Sequence, residues 1–386
     1  MTRLLMLTFN RVGKGTYWRA MGYAKELLPL GYRVTLLAVA PQRGSGFVER
    51  EVEGVHLIET PDLWPNSGYD LWDTVRRVGW LRGRPFDLVH AFETRPVVLG
   101  PMLYLQQTRR LPLLIDWCDW FGRGGSVEER PDSLAKTVLR SVETFFEERF
   151  RHWADGTTVI NSVLQQKAMD LGVIADSILL LPNGASVDEI LPQDKQAVRQ
   201  RLGLPGDIPI LGYIGAIFER DAQLMARTFD AIQAQRPDVR LLVIGYCNVA
   251  IEKLVREETA VIRTGPVPFS TLVDYIAACD IGWLTLCNSG ANRGRFPMKT
   301  HDFMAAGIPV VVTDVGDLGT MVREKGIGWV SPDDANALAA ITLEALAETA
   351  VHREKGQRAR YIAETELAWP VVTAKLAQFY KKTIDG

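Results

Sequence analysis

The chain opens twice in the same way, and that repeat narrows its fold more than any other feature. Leu4–Phe9 is a continuous apolar run, followed by a loop holding Gly13 and Gly15. Tyr17, Ala20, Met21, Ala24, Leu27 and Leu28 then recur at helical spacing from about Thr16 to Leu30, and Gly31 ends the pattern. A second apolar run, Arg33–Val39, follows. At Ile210 the order restarts with Ile210-Leu211-Gly212-Tyr213-Ile214-Gly215, a helix from about Asp221 to Gln235, and a strand Arg240–Ile244 closed by Gly245. Uninterrupted apolar strands alternating with helices imply a parallel sheet covered on both faces. Further strands are predicted at Val55–Glu59, Leu88–Ala91, Leu113–Asp116, Gly156–Ile160 and Ile178–Leu181. The expected class is α/β, with two Rossmann-like, doubly wound parallel-sheet domains over 1–185 and 186–365 and a closing segment, 366–386. The turn-rich stretch from Pro182-Asn183-Gly184 to Pro205-Gly206 reads as the connection between the domains.

Two or three domains also suit a length of 386 residues at roughly 150 per domain. The net charge of −2 leaves no basic excess for neutralising a phosphate backbone, so nucleic acid is not an expected partner. Cys118, Cys247, Cys279 and Cys287 lie scattered without Cys-x-x-Cys spacing, as in a reduced, cytoplasmic protein. His56, His90, His152, His301 and His352 are isolated, so no metal site is expected. The N-terminal apolar run is too short for a signal-peptide core or a membrane span and reads as a buried first strand. Arg76, Arg77, Arg82 and Arg84 around Trp80 read as a solvated basic face, with weak peripheral contact to an anionic membrane as the alternative.

The richest chemistry lies between Phe296 and Asp314. Strand Ile281–Leu286 leads to a loop, a short helix opened by Pro297, a stop at Gly307 and a strand from Pro309. A helix that starts just after a strand's carboxyl end is where open α/β sheets bind ligands. Its N-terminus favours anions, with Lys299 in the first turn and Arg293 and Arg295 just upstream. That combination points to a phosphate site. Two common phosphate motifs fail on residues. Gly13-Lys14-Gly15-Thr16 lacks the Gly and the Ser/Thr that a P-loop requires at Thr8 and Gly15. A dinucleotide fingerprint needs a third Gly and a terminal acid where this chain has Trp18 and Ala38-Val39-Ala40.

Met298-Lys299-x-x-Asp302-Phe303-Met304-Ala305-Ala306-Gly307-Ile308-Pro309-Val310-Val311 resembles the donor-nucleotide signature of GT-B glycosyltransferases, most closely those of glycosyltransferase family 4. The similarity runs in order along the chain through Asp87-Leu88-Val89-His90-Ala91, Ala154-Asp155, Pro182-Asn183-Gly184, Val243-Ile244-Gly245, Thr264-Gly265-Pro266-Val267 and Ala277-Ala278-Cys279-Asp280. The resemblance implies two domains facing each other across a cleft, with the final Trp369–Ile384 helix crossing back to the first. It implies a sugar moved from a nucleotide-diphosphate donor, with retention of configuration and without cofactor or metal. The acceptor is a glycan, a lipid-linked sugar or a small molecule.

On the donor side the resemblance points to Gly215, Gly245, Val267, Arg295, Lys299, Thr300, Asp302 and Gly316, with Asp302 on the ribose and Lys299 on the diphosphate; Arg220, beside the position of the family's Lys, either replaces it or is a solvated surface residue. On the acceptor side it points to Asn10, Gly13, Gly15 and Glu93; tight-turn geometry alone is the other reading of the glycines. Relatives carry a catalytic His near the strand end where this chain has Asp116 and Asp119, which with Lys299 are the catalytic candidates; an ordinary capping role is the other reading of Asp119. Trp117, Trp120 and Phe121 alongside read as core or as sugar-stacking rings. Three positions depart from the family. Gly294 replaces a Glu that contacts the donor sugar, Ala216 an Arg, and Asp221 a Lys. Those departures keep two alternatives open: a non-catalytic nucleotide-binding protein, or a nucleotide-sugar epimerase.

Overall fold

The computed structural model describes residues 1–44, 46–61, 63 and 68–385, so Gly386 of the predicted closing segment lies outside it. Two compact units emerge: Met1–Gly184 with Trp369–Gly386, and Ala185–Ala368.

The strands of the first unit are β1 (Thr2–Arg11), β2 (Tyr32–Val39), β3 (Val48–Val52), β4 (Val55–Thr60), β5 (Leu88–Phe92), β6 (Leu113–Trp117), β7 (Gly156–Val159) and β8 (Ile178–Leu180). They form one sheet in the order β3-β4-β2-β1-β5-β6-β7-β8. All pairs are parallel except β3 with β4. The alternation of a strand explains how both faces are used. Leu4 and Met6 pack with the helix Thr16–Leu27 and the closing helix Trp369–Asp385, while Leu5, Leu7 and Phe9 pack with Val97, Val98 and Met102 of the helix on the opposite face.

β3 escaped the sequence reading. Its residues, Val-Glu-Arg-Glu-Val, are nearly all exposed, and it pairs only at the sheet edge. An edge strand with two wet faces needs no apolar pattern, and its charges discourage pairing with other chains.

The second unit holds β9 (Ile210–Ile214), β10 (Arg240–Ile244), β11 (Val261–Gly265), β12 (Ile281–Leu284), β13 (Val310–Thr313) and β14 (Gly328–Ser331). Its sheet is parallel throughout, in the order β11-β10-β9-β12-β13-β14. Order reverses between β9 and β12 here, and between β1 and β5 in the first unit. Crevices open beyond the strand ends at such switch points.

Small residues set the helix that matters most. Gly212 of β9 and Gly282 of β12 sit side by side in register. A Cβ on Gly282 would lie 2.4 Å from the Phe303 ring, and one on Gly212 would lie 3.1 Å from it. The two glycines thus form a slot that seats Phe303, fully buried on the helix Met298–Ala305. Trp369 is held in the same way in the first unit, against Gly22 and Gly184, where a Cβ would come within 2.5 and 2.1 Å of its ring.

Candidate functional site

Lys299 lies four residues before Phe303, on the same face of the helix one turn earlier. Seating Phe303 over β9 and β12 therefore turns the Lys299 side chain toward the carboxyl end of β9. Its Nζ donates to the Tyr213 hydroxyl at 2.7 Å and to the Ala216 carbonyl at 3.1 Å. It also lies 4.0 Å from the centre of the Tyr213 ring. Tyr213 in turn donates to the Ala216 carbonyl at 2.8 Å. Burial, and then the nearby Arg295 cation, push Lys299 down to about 7. Burial pushes the Asp302 carboxyl up to about 7, against the pull of Lys299. No side chain caps this helix start among the described residues, so its dipole reinforces a place for an anion.

The loop beyond β9 is anchored sideways. Gly215 takes a φ of 79° and donates to the Ile244 carbonyl. Asn248 accepts from the Ile217 amide and donates to its carbonyl, both at 2.9 Å. Gly245, at the end of β10, donates to the Thr264 hydroxyl, and Val267 follows β11 half-buried. Thr300 is buried in the first turn of the Lys299 helix. Gly316 opens the helix Gly316–Lys325 with a φ of 58°, where a Cβ would lie 3.1 Å from the Arg293 carbonyl.

Arg295, expected to face a diphosphate, has a protein partner. Its guanidinium donates to Asp221 at 3.2 Å and stacks over Phe218. Asp221 is buried and also accepts from the Cys287 amide and the Asn292 side chain, both at 2.8 Å. The acid in place of the family's Lys thus ties its own helix to the stretch running from Cys287 through Asn292 to Arg295. Arg220, its neighbour, is exposed. Gly294 ends the short helix Gly290–Arg293 and is buried. Tyr213, Asn248 and Asn292 were missed by sequence reasoning. Only Tyr213 gave a signal, as a polar-tipped ring inside an apolar strand.

In the first unit, the structure corrects the reading of Asp116 as an acceptor-facing acid. The residue is fully buried, and Arg19 grips both its oxygens, at 2.9 and 2.8 Å. Thr158 donates to it as well, at 2.5 Å. Arg19 also holds Asn183 and the Leu181 carbonyl, so this ion pair anchors the chain leaving β8. Glu93 is likewise internal. It sits at a φ of 71°, rare for a side chain other than Gly, and accepts from Arg151 and the Cys118 amide, both at 3.0 Å. Burial pushes it up to about 7. His90 is a satisfied core residue between Tyr380 and Thr158. Asp119, just past β6, remains half-buried.

Asn10 accepts from the Thr16 amide at 2.9 Å and hydroxyl at 2.7 Å, closing the loop whose Gly13 and Gly15 take φ of 81° and 52°. Trp117 is core, while Trp120 and Phe121 are half-buried. Arg77 also leaves the predicted basic face. It is fully buried, paired with Asp73 at 3.0 Å, and Trp80 is buried beside it. No described helix is long and apolar enough to cross a membrane.

Comparison with known proteins places the chain and its fold. A family model described as glycosyl transferase 4-like domain matches residues 14–184, and one described as glycosyl transferases group 1 matches 208–348. The chain is similar to D-inositol 3-phosphate glycosyltransferase of Thermobispora bispora, 26% identical over 240 residues, 54% of this chain and 51% of that one. It spans about half the length of the curated relatives it matches. Sucrose-phosphate synthase from Thermosynechococcus elongatus shares the fold at a TM-score of 0.79 and 20% identity, with 100% of each chain covered. HepE of Anabaena, solved with UDP-glucose, does so at 0.74 and 17%, covering 99% of this chain and 100% of that one. With the two domain matches in this order on two parallel-sheet units of the GT-B kind, the chain belongs to the group 1 glycosyltransferases.

Proposed function

We propose that the protein transfers a sugar from a nucleoside-diphosphate sugar to a hydroxyl of a glycan, lipid-linked glycan or small molecule, with retention of configuration. The observation that carries this reading is the Lys299 amine held at the switch point of the second sheet, beside a helix start and two glycine turns of positive φ. A departing nucleoside diphosphate gathers negative charge, and fixed cations and helix dipoles stabilise that charge where it develops. Lys299 meets the diphosphate, and Asp302, one turn further along the helix, takes the ribose hydroxyls. Gly215, Gly245 and Val267 border the base, while Thr300 and Gly316 line the phosphates. Asp119 is the acid left to orient an acceptor hydroxyl. The reaction needs no resident metal or cofactor in this reading, and turnover survives a chelator.

The relatives support the reading by name, and HepE by its bound UDP-glucose. A second reading, nucleotide binding without transfer, is favoured by the commitment of Arg295 to Asp221 and by Gly294. Incubation with UDP-, GDP- and ADP-sugars plus mixed glycan and lipid acceptors separates the two. Acceptor-dependent release of nucleoside diphosphate establishes transfer; binding with no release establishes the second reading.

A further inference from the structure

A protonated lysine has three N–H groups, and a neutral one has two. The fold occupies two, through the Tyr213 hydroxyl at 2.7 Å and the Ala216 carbonyl at 3.1 Å. The neutral amine therefore satisfies its protein partners already. The third N–H exists only after protonation, and no acceptor is paired with it among the described residues.

Tyr213 gives this arrangement its direction. Its hydroxyl is buried, and burial keeps the phenol neutral. Its single hydrogen goes to the Ala216 carbonyl, so toward Lys299 it can only accept. The chain of donors runs Lys299 to Tyr213 to Ala216, and it fixes where the remaining valence of the nitrogen points.

We propose that Tyr213 is a positioning residue for the donor's diphosphate, holding Lys299 so that binding of the anion draws in one proton and aims the new N–H at a phosphate oxygen. This rests on the donor-site reading given above.

The surrounding charges favour that coupling. Tyr213 faces the amine from β9, Cys247 from beyond β10, Asp221 from the helix Glu219–Gln233, Arg295 from the preceding loop and Asp302 from its own helix. Asp221 is spent on Arg295, and Arg295 repels the ammonium. An arriving diphosphate supplies the negative charge this cluster lacks, restoring the lysine toward its ordinary basicity. The proton comes from solvent.

The test is titration calorimetry with UDP, ADP and GDP, in buffers of differing ionisation enthalpy, between pH 7 and 9. The wild type takes up about half a proton per nucleotide near pH 7, rising toward one by pH 8.5, with affinity falling up to about tenfold per unit. Tyr213→Phe, checked for an intact fold by thermal melting, keeps the ring but loses the acceptor. Its uptake profile moves about one pH unit lower, and affinity at pH 8 drops about tenfold. Wild-type binding without proton uptake overturns the inference. So does an unmoved profile in Tyr213→Phe while Lys299→Ala still weakens binding about ten- to a hundredfold, which leaves the site reading standing. If no nucleotide binds the wild type, the site reading fails and takes the inference with it.

Discussion

The ring of Phe303 occupies the space that a Cβ on Gly282 would need, 2.4 Å from that position. The contact places Lys299, because the two side chains lie one turn apart on the same helix face. Gly282→Ala forces the helix Met298–Ala305 off its sheet. Overpacking of this kind costs about 1–3 kcal/mol, and urea denaturation should show it. Nucleotide affinity should fall as well, and Gly282→Ala combined with Phe303→Leu should recover part of both losses.

Asp221 and Arg295 form a second linked pair, at 3.2 Å. Removing the cation strands a buried carboxylate, a change worth about 3–5 kcal/mol in fully buried pairs. Asp221 keeps the Cys287 amide and Asn292 as donors. Arg295→Met should therefore fall at or below the lower end, about 3 kcal/mol in chemical denaturation. Asp221→Asn should cost less, since no unpaired charge remains inside.

Lys299 carries a stability penalty with a definite pH signature. Its folded-state value is pushed down to about 7, whereas in the unfolded chain it titrates near its ordinary 10.5. Between those values the unfolded state binds more protons, so this group makes stability rise as pH climbs from about 7 toward 10.5. At pH 7 and below the penalty is fully present. Lys299→Met should melt higher than the wild type at pH 7, and the difference should shrink by pH 10. The variant should also lose the thermal stabilisation that nucleotide gives the wild type.

The two parallel sheets were legible, though not their strand order, because buried strands write themselves as apolar runs separated by helical spacing. The short helix with Lys299, Asp302 and Gly307 was legible from its punctuation by Pro297 and Gly307. β3 was not, since an exposed edge strand obeys no burial pattern, and neither β11 nor β14, the outer strands of the second sheet, was predicted. The roles of Asp116 and Arg295 were hidden for another reason. A carboxylate and a guanidinium far apart in sequence, such as Arg19 and Asp116, cancel in three dimensions only. Spacing along the chain marks such residues as charged and available, and only packing shows that they are spent. Tyr213 illustrates the converse: its ring reads as core, yet its hydroxyl meets the one amine the site depends on.

Calorimetric affinity for a nucleoside diphosphate, compared between wild type and Lys299→Ala at pH 7, tests the central claim most directly. A charge-assisted hydrogen bond of about 1.5–3 kcal/mol predicts a loss of about ten- to a hundredfold. Equal affinities in the two proteins would contradict the placement of the diphosphate at this helix.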